Sequence, residues 1–413
     1  MRDTADIVVV GAGIVGSSIG HSLVVHEAGK VVVLDKGAGP AEGSTGASST
    51  ISRCKYTLPE MIRLALDGQR AYGEWADYTG IDRPRARLER VGVLWISADD
   101  RAAVNADGER LAAAGVAMSV LGPDELVSRF PSMSPCAVPF DLTGRVEHFC
   151  EPGEAFLLEE ESGYVTDPVG ATQDLADAIR RLGGDVRLRS RVTGVRTEGE
   201  RVVGVDLADG SGIDAGLVVN AAGPWCNALN KLAGVALAWH LEPTRVQVGY
   251  REWPANLVPP PVCADYTTGL YVRPEARGQQ VLFGSVLAED EEEVVADPDE
   301  FSRVIDPSFR DVKIHGVHHR FPDLPHRGGV TGIAGLYTIN REDVHPVIGP
   351  TGLDGFWVAN GFSGHGFKLA PMIGSMIARA VTGRRCDFDT DVPLGFLGVD
   401  REPLVVGSKS VLA

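Results

Sequence analysis

Ile7-Val8-Val9-Val10-Gly11-Ala12-Gly13-Ile14-Val15-Gly16 is the stretch from which the fold is read. Its four leading apolar residues suit a short strand buried on both faces, and the glycines turn the chain into a helix predicted over residues 14–28, stopped by Gly29. Val31–Leu34 is a second buried strand, so the opening is a βαβ unit. Gly11 permits the tight turn, Gly13 lets a pyrophosphate approach the backbone, and Gly16 lets helix and strand pack closely. The helix start, with Ile14 and Val15, offers unpaired amides and partial positive charge. Asp35, 19 residues after Gly16, ends the second strand, where a carboxylate reaches ribose hydroxyls, and Lys36 stands beside it. Strand, glycines, helix, strand and acidic residue in this order predict a dinucleotide site.

Outward from this unit, Pro59 is pre-set for a first helical turn, and a helix is predicted from it towards Tyr78. Residues 88–160 loosen into short strands such as 91–96. At Tyr164 order resumes. Asp167 suits a helix cap and Pro168 the first helical position, while Leu175, Ile179 and Leu182 form one apolar face and Gly183-Gly184 stops the helix. Strands follow over 192–195, 202–207 and Leu217–Asn220. Residues 236–340 are strand-rich and irregular. The last helix has the clearest stripe, from Leu369, Met372, Ile373, Met376, Ile377, Ala380 and Val381. The expected fold is α/β. A Rossmann-like nucleotide-binding domain is assembled from residues 1–88, 161–235 and 341–413, and residues 89–160 and 236–340 form a mostly antiparallel β substrate-binding domain with helices. The acidic run 289–293 reads as a solvated loop.

The 413 residues are 44% hydrophobic and 23% charged, the balance of a globular enzyme of two or three structural units. A net charge of −17 argues against nucleic acid and anionic membranes as partners, and requires that any site for an anion be locally basic. No segment approaches 18 apolar residues, and the N-terminal apolar run reads as a strand rather than a signal peptide, so a cytoplasmic protein is expected. Cys54, Cys136, Cys150, Cys226, Cys263 and Cys386 show no CxxC pair or metal spacing. They are expected to be reduced thiols, and no metal is expected.

The glycine fingerprint alone does not separate FAD from NAD. Val219-Asn220-Ala221-Ala222-Gly223-Pro224-Trp225 resembles the segment by which many FAD enzymes return to the nucleotide domain, which makes Ala222, Gly223 and Trp225 cofactor candidates. Val192, at the start of its strand, is another. No second GxGxxG lies in a βαβ setting, so the substrate itself is the expected reductant. Two more strings complete the pattern. One is Gly43-Ser44-Thr45-Gly46-Ala47-Ser48-Ser49-Thr50-Ile51-Ser52-Arg53, and the other is Gly361-Phe362-Ser363-Gly364-His365-Gly366-Phe367-Lys368. With the fingerprint they resemble the D-amino-acid-oxidase superfamily of flavoproteins, specifically its sarcosine oxidase branch. The three glycines of the last string let backbone lie close to a flat ring, and the helix that follows points its positive end at the developing charge of reduced flavin.

The resemblance implies one FAD, cradled also by Ser44, Thr45, Gly46, Ser48, Ser49, Thr50 and the 361–368 string. It implies a substrate carboxylate held by Arg53 and Lys368, two cations that would make an acidic protein locally basic. Tyr337 falls where the family has an active-site tyrosine, although a half-buried strand tyrosine reads equally well. His365 and His345 are candidate bases, and Arg320 a further candidate for the carboxylate. Three positions depart from the family. Gly335 replaces the cysteine that tethers the flavin in monomeric sarcosine oxidase, so non-covalent FAD is expected. Thr166 replaces the histidine that attaches FMN in the multi-subunit enzyme. The strand Val281-Leu282-Phe283-Gly284 lacks the lysine that assists reaction with oxygen, leaving oxygen or another carrier as electron acceptor. The expected activity is oxidation of a small amine carrying a carboxylate, by hydride transfer to flavin, in a monomer or small homo-oligomer. A 2-hydroxy acid or polyol phosphate dehydrogenase, and a flavin-binding subunit of a larger complex, are the alternatives.

Overall fold

The computed structural model describes residues 2–407 apart from 142 and 144. At its centre is a six-stranded sheet in the spatial order Asp185–Arg187, Val31–Leu34, Ile7–Val10, Leu217–Asn220, Phe356–Asn360, Val347–Pro350. All neighbours are parallel except the last pair. Alternate side chains of its all-apolar strands serve two different cores. Ile7, Val9, Val31, Val33 and Val219 pack beneath helices, whereas Val8, Val32, Leu34 and Val218 face a four-stranded sheet on the other side. That double burial is why the strands read as continuous apolar runs.

The helical layer is drawn tight by small residues. Helix Ile14–Val25 carries Gly16, Ser17, Ser18, Gly20 and Ser22, and packs on both Gly366–Thr382 and Pro168–Arg181. A Cβ on Gly374 would lie 2.4 Å from the Ser18 carbonyl, and one on Gly20 would lie 2.5 Å from Val33. The last helix is therefore held directly over the glycine-loop helix, and its start is fixed beside the glycine turn.

An eight-stranded sheet accounts for most of the remaining chain: Val330–Asn340, Leu241–Glu252, Gln280–Ser285, Leu270–Glu275, Val262–Asp265, Val93–Ile96, Phe156–Glu159 and Met118–Leu121. It is antiparallel except where Val262–Asp265 meets Val93–Ile96. A small sheet of Ile51–Ser52, Gly163–Val165 and Leu88–Glu89 completes the set. The mixed α/β class expected from the sequence is the one observed.

Local expectations differ from the fold in instructive places. The first helix stops at Val25, because Glu27 turns left-handed (φ 53°) before Gly29 (φ 98°). The helix from Pro59 ends at Gly73, and a short one, Trp75–Thr79, restarts after Glu74 leaves helical geometry. Asp167 does cap its helix, accepting from Gly170 N at 2.8 Å. The acidic run is not simply a solvated loop. Glu291 is buried, Asp290 pairs with buried Lys313 (2.6 Å) and Glu293 with buried Arg245 (2.9 Å), so the run neutralises cations of the eight-stranded unit.

Candidate active site

Four parallel strands end along one edge of the six-stranded sheet, and each hands the chain to a segment singled out above: Val10 to Gly11, Leu34 to Asp35, Asn220 to Ala221, and Asn360 to Gly361. Such an edge is where α/β sheets bind nucleotides. A cleft of about 890 Å³ runs along it, near the upper end of the ~300–1,000 Å³ usual for small-molecule and cofactor sites. Gly11 makes the turn with φ 114°, and a Cβ there would lie 2.3 Å from the Ala221 carbonyl. Gly16 is as tightly placed, 1.9 Å from the Gly11 carbonyl by the same measure, which is the close packing its position in the motif demands. Asp35 accepts from the amides of Ala12 and Gly37, each at 2.7 Å, and the Thr45 hydroxyl accepts from Ile14 N at 3.1 Å.

Of the cofactor candidates, Gly11, Gly13, Ile14, Val15, Asp35, Lys36, Ser44, Thr45, Ser48, Val192, Ala222, Gly223, Trp225, Phe362, Ser363, Gly364, Gly366 and Phe367 line the cleft. The others stand behind it. Gly16 and Gly46 let backbone pass close to backbone. Ser49 faces a small separate cavity beside Gly335 and Tyr337. Thr50 turns left-handed (φ 55°) and donates to the Val165 carbonyl at 2.6 Å. Gly361, Ser363 and Gly364, with φ of 72°, 47° and 84°, bend the chain sharply into the last helix, whose amide end faces the cleft. The strained Ser363 is fixed by accepting from Asn340 N at 2.9 Å. Tyr337 lines both the cleft and the small cavity.

Residues at the cleft mouth escaped the sequence reading. Asp299 pairs there with Lys36 and with Arg191 (3.1 Å), and accepts from the Trp225 indole (3.1 Å), while the Lys36 ammonium sits 3.8 Å over the Trp225 ring. Asp299 lies far along the chain in a turn with no local signature.

Beyond Phe367 the chain brings the two predicted cations together. Arg53 and Lys368 are both buried, and both lie over the face of Tyr56, at 4.4 and 6.0 Å from its centroid. Arg53 also lies 5.4 Å over Trp95 and donates to the Lys55 carbonyl. Burial, and then the neighbouring Arg53 charge, hold the Lys368 ammonium well below its ordinary range, with Glu159 acting in the opposite direction. Glu159 is fully buried and accepts from Cys54 N (2.6 Å), Lys55 N (3.1 Å), the Trp95 indole (2.9 Å) and the Ser162 hydroxyl (2.6 Å). It thereby fixes the backbone that carries Arg53 and the ring beside it.

His365 is buried at the last-helix start, with Nδ1 3.0 Å from the Tyr56 hydroxyl and its ring stacked 5.4 Å from His345. Burial first, then the Lys368 charge, push its pKa well below the usual imidazole value. Burial also lowers that of His345, whose Nδ1 lies 2.7 Å from the Asp343 carbonyl. Arg320 is placed elsewhere. It is engaged with Asp265 at 2.8 Å and with the Ser134 carbonyl, which removes it as a carboxylate receptor for this cleft.

A glycine-lined cleft at the switch edge of a parallel sheet, capped by a helix start and flanked by buried cations, defines a dinucleotide-dependent oxidoreductase. The chain belongs to the FAD dependent oxidoreductase family, whose sequence model matches residues 6–380. It is 26% identical over 406 residues to FAD-dependent oxidoreductase domain-containing protein 1 of Xenopus laevis, covering 92% of this chain and 79% of that one. It is 28% identical over 399 residues to the monomeric sarcosine oxidase of Streptomyces avermitilis, covering 93% and 95%. Among solved structures, the L-proline dehydrogenase of P. horikoshii matches with a TM-score of 0.79 at 23% identity, covering 97% and 98%. The cleft fits the cofactor of this family. Gly11, Gly13 and Asp35 line it where the first helix starts, and Gly366 and Phe367, at the start of the last helix, line it as well.

Proposed function

We propose that the protein oxidises a small amine carrying a carboxylate, a primary or N-methylated amino acid. The observation that carries this reading is the convergence of Arg53 and Lys368, both buried, over one tyrosine ring beside the cofactor cleft. Two cations converging beside the cleft make a locally basic receptor for an anion in an otherwise acidic protein. A carboxylate bridging them would raise the lowered Lys368 pKa again, so binding and protonation are coupled. Bound FAD would supply the hydride acceptor. Arg53 and Lys368 fix the carboxylate and therefore the orientation of the carbon beside nitrogen, while Tyr56 and Trp95 wall the site from water. The start of helix Gly366–Thr382 favours negative charge at the cleft's inner end. The imine product then hydrolyses to a carbonyl compound and an amine. The sarcosine oxidase and proline dehydrogenase names of its relatives support the same substrate class.

Oxidation of a 2-hydroxy acid would need a base strong enough to take a hydroxyl proton. His365 and His345 are both made less basic by burial, which supports the amine. Thr166, where the FMN-linking histidine of a subunit enzyme would stand, supports an enzyme active as this chain alone. The test is anaerobic mixing of the FAD-loaded protein with amine and hydroxyl members of one carbon skeleton. Loss of oxidised-flavin absorbance with the amino acid is expected. Bleaching by the hydroxy acid alone would overturn the reading, and stopped-flow reoxidation in air-saturated buffer then separates oxygen from another carrier as acceptor.

A further inference from the structure

Away from the cleft, three separate stretches of chain bring two thiols and two imidazoles to one point. Cys136, His148, Cys150 and His319 each offer a ligand atom, and these atoms all lie within 4.8 Å of one another. The backbone fixes the convergence. Cys136 bridges to Pro152, with Ala137 N donating to Glu151 O (3.0 Å) and Gly153 N to Pro135 O (2.9 Å), so the two cysteines stand on opposite sides of one loop's neck. Ser134 N donates to the Arg320 carbonyl at 2.8 Å, which pins that neck to the last turn of helix Pro307–Arg320, where His319 lies.

We propose that Cys136, His148, Cys150 and His319 form a structural zinc site. Cys136 Sγ is 3.4 Å from His148 Nε2, the His148 and His319 rings lie 4.7 Å apart at 90°, and His319 Nε2 is buried without a hydrogen-bond partner among the described residues. A tetrahedral zinc with ~2.3 Å bonds to sulfur and ~2.0–2.1 Å bonds to nitrogen holds such atoms about 3.5 Å apart, so a small contraction completes the shell. Two thiolates and two neutral imidazoles suit zinc, and four protein ligands leave no position open for chemistry. Phe140 stacks on His319 (4.0 Å, 11°) and meets His148 edge-on (5.0 Å), fixing both rings.

The loop also needs such a staple. Val146 and Phe149 are 69% and 70% exposed, so these two apolar side chains do not anchor the loop, and the ion would supply a hold that they do not. The expectation that no metal binds came from spacing. Cys136, His148 and Cys150 lie within 15 residues but in no familiar pattern, and His319 follows 169 residues after Cys150.

The experiment is competition of the metal-free, FAD-loaded full chain against a chromophoric chelator for Zn²⁺, with Co²⁺ as a spectroscopic probe. About one zinc per chain is expected, with a Kd of about nanomolar or tighter, together with the sulfur-to-cobalt charge-transfer band of a tetrahedral thiolate site. Cys150→Ser should weaken binding by at least about a hundredfold and remove much of that band, while FAD content stays and Cys386→Ser changes neither. Equal zinc affinity in the full chain and Cys150→Ser would overturn the proposal. So would an octahedral, thiolate-free cobalt spectrum, or an intact mass showing Cys136 and Cys150 joined as a disulfide after purification with zinc.

Discussion

The cofactor cleft and the cation pocket lie side by side but are made in different ways. The cleft is shaped by backbone: left-handed turns and close approaches at Gly11, Gly361 and Gly364, placed where parallel strands end. The pocket is shaped by side chains drawn from distant elements: Arg53 after Ile51–Ser52, Trp95 in Val93–Ile96, Glu159 ending Phe156–Glu159, and His365 and Lys368 at the last helix. A backbone cradle tolerates almost no substitution and asks little of its neighbours' identity. A side-chain pocket depends on charge balance and therefore responds to pH and to ligand.

That contrast breaks most visibly at Gly11. Gly11→Val puts a branched side chain at φ 114° and against the Ala221 carbonyl, and the purified variant should carry less than about a tenth of the normal FAD. Full flavin content would show that the cleft is not formed by backbone closeness. In the pocket, Glu159→Leu leaves the Cys54 and Lys55 amides, the Trp95 indole and the Ser162 hydroxyl without their acceptor. With about 1–3 kcal/mol for each buried donor left unpaired, a loss of at least about 3 kcal/mol is expected in denaturant unfolding. An unchanged midpoint would mean that Glu159 is not the fixed point of the pocket.

A smaller effect sharpens the charge side of the comparison. Burial and the Arg53 charge hold the Lys368 ammonium below its ordinary range in the free protein, and a carboxylate beside it would raise it again. Between the depressed value and the ordinary ammonium range, binding takes up a proton, and affinity for a carboxylate inhibitor should fall by up to about tenfold per pH unit as pH rises. Calorimetry in buffers of different ionisation heat should report the uptake, and Lys368→Met should abolish it; uptake that persists in the variant assigns the proton to another group. The least change is expected at Gly335, which borders the small separate cavity and offers no reactive side chain. Gly335 lies against Ala47, and a Cβ there would be 2.7 Å from the Ala47 Cβ. Acid precipitation should therefore leave the yellow colour wholly in solution, whereas colour in the pellet would indicate a covalent link elsewhere.

The same contrast explains what could be read from the sequence. Gly11, Gly13, Asp35 and the 361–368 string carry short-range signals, because a turn, a helix start and a strand end are local events. Arg53 and Lys368 were legible through motif resemblance, and their meeting over Tyr56 was not. Glu159 had no signal, since a lone glutamate ending an apolar strand looks like any solvated one until four donors surround it. The contacts of Asp299 and Arg320 likewise depend on side chains from remote segments meeting in the fold. Arg320 misled because a short local match says nothing about Asp265, 55 residues earlier in the chain.

The central claim is that Arg53 and Lys368 together receive a substrate carboxylate. It is tested by the affinity of a substrate-like carboxylic acid and its amide, measured by flavin spectral perturbation, for the wild type and for Arg53→Met. A charge-assisted contact contributes about 1.5–3 kcal/mol, so the wild type should favour the acid by about tenfold to more than a hundredfold. Arg53→Met, with its FAD content retained, should lose most of that preference. Equal discrimination between acid and amide by the two proteins would contradict the account, because Arg53 would then not touch the carboxylate.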